Sequence, residues 1–115
     1  MKVAVSSTGS TLKDTVHTSF GRCDFFLMVD TETMQSSAVK NEFSGAATGA
    51  GTACAQVVFD HGAQAVISGQ VGPNAFEVLE QGGIEIFLCP PGLSAEEAVG
   101  KHKEGTLRKM HITKF

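Results

Sequence analysis

Three short glycine-bearing stretches carry most of the chemistry this chain offers, and that chemistry is the holding of an anion. In Ser68-Gly69-Gln70-Val71-Gly72-Pro73-Asn74-Ala75-Phe76 an apolar run, Ala65-Val66-Ile67, stops at Gly69. Gly72 and Pro73 then open an amphipathic segment that closes at Gly82-Gly83. The pattern is strand, glycine turn, helix, with proline at the first helical position, where its missing N–H would be unpaired in any case. The free N–H groups of such a first turn, at the positive end of the helix dipole, favour negative charge. The same spacing also serves an ordinary tight strand-to-helix connection. Gly49-Ala50-Gly51-Thr52 offers a second helix start of the same kind, and Ser19-Phe20-Gly21-Arg22 adds a fixed positive charge.

Nucleotide binding is weakly supported. The run Gly49 to Cys54 begins with the spacing of a dinucleotide fingerprint but has Cys54 where the third glycine belongs, and no Gly-Lys-Ser/Thr phosphate loop is present. Three side chains could ligate a soft metal: His17 and Cys23, which flank the Phe20–Arg22 stretch, and Cys89, which ends an apolar run. Cys23 is the strongest of them, because it lies outside any apolar period and a neighbouring guanidinium would lower its thiol pKa. Cys54 sits at helical spacing with Val57, Val58 and His61, which points it into a core. No closely spaced His/Cys/Asp/Glu set defines a mononuclear site, and no nucleophile has a base and an orienting group beside it, so hydrolysis is unsupported.

These stretches must be positioned by a small set of elements. A chain of 115 residues, 42% apolar and 18% charged, is expected to form one globular domain over 1–115, with the tail from about residue 106 unassigned. Its formal net charge of −3 provides no basic footprint for nucleic acid. No apolar run approaches a membrane span, and the first residues enter a strand directly, so a cytoplasmic protein is expected. Three widely spaced cysteines do not form a disulfide framework.

Strands are expected at Lys2–Ser6, Phe25–Asp30, Met34–Lys40, Ala65–Ser68 and Ile84–Cys89. Helices are expected at about Ala50–His61, at Pro73–Gln81, and after the capping box Ser94-Ala95-Glu96-Glu97. The order β-β-β-α-β-α-β-α predicts a meander continued by crossover units, hence one mixed sheet covered by helices. If the first, third, fourth and fifth strands run parallel, the loops 7–23 and 41–49, the Gly69–Gly72 turn and Cys89 all meet at the carboxyl edge, where open α/β sheets bind ligands.

Taken together, the three glycine stretches resemble the dinitrogenase iron–molybdenum cofactor biosynthesis family, which includes NifX-type carriers and the C-terminal domain of NifB. Ser19-Phe20-Gly21-Arg22 is similar to its first motif, Gly49-Ala50-Gly51 to its second, and Ser68 to Phe76 with Leu79 and Gly82-Gly83-Ile84 to its third, which is the most specific. The resemblance extends from Met1 to about Gly100. It implies a ribonuclease-H-like, three-layer α/β/α fold with a mixed five-stranded sheet. It also implies binding, without turnover, of an iron–sulfur or molybdenum-containing sulfide cluster or precursor, exchanged with a cluster-donor or acceptor protein. The related orange protein of sulfate reducers holds a molybdenum–copper sulfide cluster without obvious covalent ligation. The fold brings no nuclease activity here, since paired carboxylates are missing from the expected strand ends. The cluster-holding residues implied are Ser19, Phe20, Gly21, Arg22, Gly49, Gly51, Thr52, Gly69, Gly72, Pro73 and Asn74. The alternative left open is a regulatory or enzymatic domain that binds a small phosphorylated ligand at the same edge.

Overall fold

The computed structural model describes residues 1–110. Its elements are β1 (Lys2–Ser7), β2 (Phe25–Asp30), β3 (Ser36–Lys40), α1 (Ala50–Asp60), β4 (Ala65–Ser68), α2 (Pro73–Gln81), β5 (Glu85–Leu88), α3 (Ala95–Glu104) and β6 (Arg108–Lys109). The sheet order is β3-β2-β1-β4-β5-β6. β1 pairs in parallel with β4, and β4 with β5, while β2 opposes both β1 and β3. The strand directions expected from the element order are therefore found. The expected five strands become six, because Arg108-Lys109 adds an antiparallel edge to β5. A two-residue strand carries no apolar period, so nothing in its composition announces it.

Successive residues of a strand face opposite sides of the sheet, and in the central strands β1, β2 and β4 both sides are dry. Ala4, Phe26, Met28, Val66 and Ile86 point to a layer made by α1 and α2, packing on Cys54, Val58, Phe76 and Leu79. Val3, Val5, Leu27, Val29, Ala65 and Ile67 point the other way, to Ala95, Ala98 and Val99 of α3. The result is three layers, α/β/α. The buried face of α1 is Ala50, Cys54, Ala55 and Val58, rather than Cys54, Val57, Val58 and His61. Small alanines make that contact while His61 is exposed, a displacement that counting large apolar residues cannot detect.

β3 starts two residues later than expected. Met34 has φ of 60°, and its N–H donates to the Asp30 carbonyl, so it belongs to the turn and not to the strand. The connection 7–23 is long but tied down throughout. The N–H of Val16 bonds the Leu93 carbonyl, that of His17 the Ser6 carbonyl, and that of Phe20 the Gln70 carbonyl. Phe20 is buried and stacks obliquely on Phe26 with ring centroids 5.2 Å apart. Of the tail left unassigned from the sequence, residues 106–110 pack beside β5, and residues 111–115 lie outside the described residues.

Ser94 caps α3 with the reciprocal Glu97 box expected from its sequence. His102, in the last turn of that helix, lies edge-on to Phe87 with centroids 4.6 Å apart, and its buried Nδ1 has no hydrogen-bond partner among the described residues. Burial holds its pKa below the ordinary value, against a smaller opposing pull from Glu85. The unfolded chain therefore takes up a proton here before the folded one does. That contribution to stability is present above pH ~6.5 and is lost as pH falls through the folded value. Denaturant melts of the wild type should show stability declining below neutrality, and His102→Leu should flatten that decline.

Candidate functional site

The carboxyl ends of β1, β3 and β4 deliver three connections to one place: residues 17–23, residues 41–49 and the Gly69–Gly72 turn. They enclose a cavity of about 320 Å3. One wall is Ser19, Phe20 and Gly21. The second is the start of α1, with Gly49, Gly51 and Thr52, and the third is Gln70 followed by the start of α2, with Gly72, Pro73, Asn74 and Ala75.

Close packing of small residues brings the two helix starts together. A Cβ on Gly51 would sit 3.1 Å from the Ala75 Cβ, and one on Gly21 would sit 3.3 Å from the Gly51 nitrogen. Gly69 is tighter still. A Cβ there would lie 2.7 Å from the Thr18 Cα and 2.9 Å from its carbonyl oxygen, so only glycine permits the turn to run against residue 18.

The electrostatics of the cavity come from backbone. Helix α1 begins at Gly49 and α2 at Gly72, neither with a side-chain cap, and neither has an acidic residue in its first turn. The amides of Gly51, Thr52, Asn74 and Ala75 have no intrahelical acceptor, as for any first turn. Two positive dipole ends thus converge on one space, rimmed by the polar side chains of Ser19, Thr52, Gln70 and Asn74 and by no ionisable side chain. A larger groove of about 370 Å3 lies at the opposite end of α2; its lining includes Glu80, Glu85 and Lys109, and Lys109 is already paired with Glu85 at 2.8 Å, which leaves no free cation among its described residues for an anion.

The glycine cavity contains nine of the eleven residues expected to hold a ligand. Arg22 is not among its lining residues. Its exposed guanidinium donates to the carbonyls of Ser44 and Ala46 and so braces the 41–46 turn. Gly69 lies between the glycine cavity and a neighbouring one of about 280 Å3, which it lines with Val16, Thr18, Gln70, Cys89, Pro90 and Pro91. Gln70, which touches both cavities, and Ala75 were missed as lining residues although both lie inside the third motif.

The soft ligands do not converge. Cys23 is fully buried, and burial, reinforced by Cys54, pushes its pKa up to about 12, which reverses the expected lowering. Arg22 and Cys23 are neighbours in sequence, yet one is exposed and the other buried. Cys54 is likewise buried, with its pKa raised to about 11. Nδ1 of His17 accepts the Ser19 N–H at 2.9 Å, and the Cys89 thiol faces the second cavity and the Pro90 carbonyl. Among the described residues no group of three or more His, Cys, Asp or Glu is placed to hold a metal ion.

Comparison with known proteins assigns the chain to a family. The family model for the dinitrogenase iron-molybdenum cofactor matches residues 1–105. The chain belongs to that family. The apo form of the orange protein from Desulfovibrio gigas superposes with a TM-score of 0.91 at 34% identity, covering 95% of this chain and 92% of that one. A candidate NifB protein from Thermotoga superposes at 0.83 with 31% identity, covering 98% and 97%. An uncharacterized protein of Methanocaldococcus jannaschii is 30% identical over 93 residues, 78% of each chain. Membership carries an association with iron–molybdenum cofactor chemistry, and no helix among the described residues is long and apolar enough to cross a membrane.

Two outcomes follow from the packing. Cys23 and Cys54 should resist iodoacetamide in the folded protein at pH 8 and react on denaturation, counted by mass spectrometry, because thiolate is scarce and access is closed. Gly69→Ala should lower stability by about 1–3 kcal/mol in chemical denaturation, since the new methyl meets backbone that cannot swing aside.

Proposed function

We propose that this protein binds an anionic metal–sulfur cluster, or a precursor of one, as cargo in the glycine cavity, and passes it on unchanged. The observation that carries the reading is a cavity built from two uncapped helix N-termini with no charged side chain in its lining. A sulfide cluster spreads its charge over large, polarisable atoms, and backbone N–H groups donating to sulfur suit it. Iron–sulfur, iron–molybdenum–sulfur and molybdenum–copper–sulfur compositions are all compatible with such a donor set.

The lining offers no titratable group, so general acid–base chemistry has no agent there, which supports carriage over turnover. Gly49, Thr52, Gly72, Pro73 and Asn74 are exposed, so the cavity opens to solvent and to an approaching donor or acceptor protein. Direct ligation by Cys23, His17 and Cys89 has less support, because burial or backbone hydrogen bonds occupy each of them. A small phosphorylated ligand would use the same amides. It would ordinarily add a Lys or Arg to its oxygens, and Arg22 is turned away to backbone carbonyls.

Anaerobic purification with metal analysis, followed by titration with tetrathiomolybdate, tests the reading. Charge-transfer absorption with stoichiometric metal is expected, and a colourless protein stabilised by nucleotide or phosphate would overturn it. Asn74→Asp sharpens the test, because it preserves shape while placing a carboxylate in the first turn of α2. The fold should gain about 0.5 kcal/mol from the dipole. Thiomolybdate affinity should fall by roughly tenfold or more at low salt, less so at high salt. Opposite signs for stability and binding are the signature of a helix end left uncapped for a ligand.

A further inference from the structure

We propose that Asn41, which lies outside the cavity, is a positioning residue for it, a role that rests on the anion-holding reading above. Asn41 follows β3 and is 4% exposed. Its side chain ties together three separate segments. Nδ2 donates to the Gly21 carbonyl at 3.2 Å and to the Cys23 carbonyl at 2.8 Å. Oδ1 accepts the Phe43 N–H at 3.0 Å and the Cys54 thiol at 3.3 Å. One buried amide thus holds the Gly21 wall, the 41–46 turn and helix α1 in fixed relation.

The bonds are matched to the need. Residues 21 and 23 present their carbonyls inward beside the apolar side chains of the α1 layer, where an unmet acceptor is costly. An amide is the neutral side chain able to give two N–H bonds to those carbonyls while accepting from Phe43 and Cys54. Arg22 makes the complementary brace from outside, on Ser44 and Ala46. Between the inner and outer braces, Gly21 runs so near α1 that a Cβ on it would lie 3.3 Å from the Gly51 nitrogen. The width of the cavity between its first and second walls is therefore set by a residue that does not line it, and Asn41 acts on cargo only through Gly21 and α1.

The test uses the full chain labelled with 15N, in three variants. Asn41→Asp keeps the shape and the acceptor but removes both N–H donors, and Asn41→Ala removes the side chain without burying a charge. Val99→Ala, fully buried in α3 on the opposite face of the sheet, controls for general loss of stability. Hydrogen exchange is read at the Phe20 amide, bonded to the Gln70 carbonyl, and at the Ala53 amide, bonded to Gly49, with the Ala98 amide in α3 as reference. Both Asn41 variants should speed exchange at Phe20 and Ala53 by about tenfold relative to Ala98, and thiomolybdate affinity should fall by a similar factor. Val99→Ala should do neither.

Wall amides unchanged in a folded Asn41 variant would overturn the proposal. So would equal acceleration in Val99→Ala, or failure of both Asn41 variants to fold, which would make the residue a general support of the structure. If the unaltered protein binds no thiomolybdate, the cargo reading fails on its own, and the amide pattern still decides what Asn41 does.

Discussion

The parallel pairing of β1 with β4 is the constraint on which the rest of the molecule depends. Neither strand has a face in water: residues 3–7 and 65–68 are all buried. Parallel neighbours cannot be joined by a hairpin, so the chain must cross over, and the crossing helices α1 and α2 cover one face of the sheet while α3 covers the other. The same geometry sends the exits of β1 and β4 to one edge. There the apolar code ends in serine. The Ser6 and Ser68 hydroxyls are bonded at 2.8 Å, and Ser68 donates on to the Gln70 carbonyl at 3.1 Å. The strand ends thereby anchor the loops that form the cavity.

The three helices divide by how their starts are completed. α3 has a reciprocal cap, acids in its first turn and Lys101, His102 and Lys103 in its last, so its dipole is answered within the chain. α1 and α2 have none of these devices, and they are the two whose starts meet. A chain that caps one helix so fully has the means to cap the others. Local stability has been left out where two like ends converge, and tight contacts among Gly21, Gly51 and Ala75 keep them converged.

Much of this was readable from residue order, and the failures share a cause. α2 is legible to the residue because Gly72-Pro73 opens it and Gly82-Gly83 closes it, and β4 because Gly69 stops its short apolar run. The cavity was readable for the same reason, since its walls are the punctuation. What escaped was whatever depends on where a side chain points. Sequence adjacency suggests one environment for Arg22 and Cys23, but the turn that ends at Arg22 leaves its charge in water while the Cys23 thiol is in the core. Asn41 was invisible, because a polar residue after a strand reads as ordinary loop until its partners, brought from residues 21, 23 and 54, are in place.

Under the proposed reading, the uncapped pair of helix starts also ties the upkeep of this protein to the occupancy of its cavity. An anion in the cavity would serve as the missing cap for two helices at once, so loading and local order become one linked equilibrium. The empty form would then open most readily at residues 49–52 and 72–75, the first places offered to a protease.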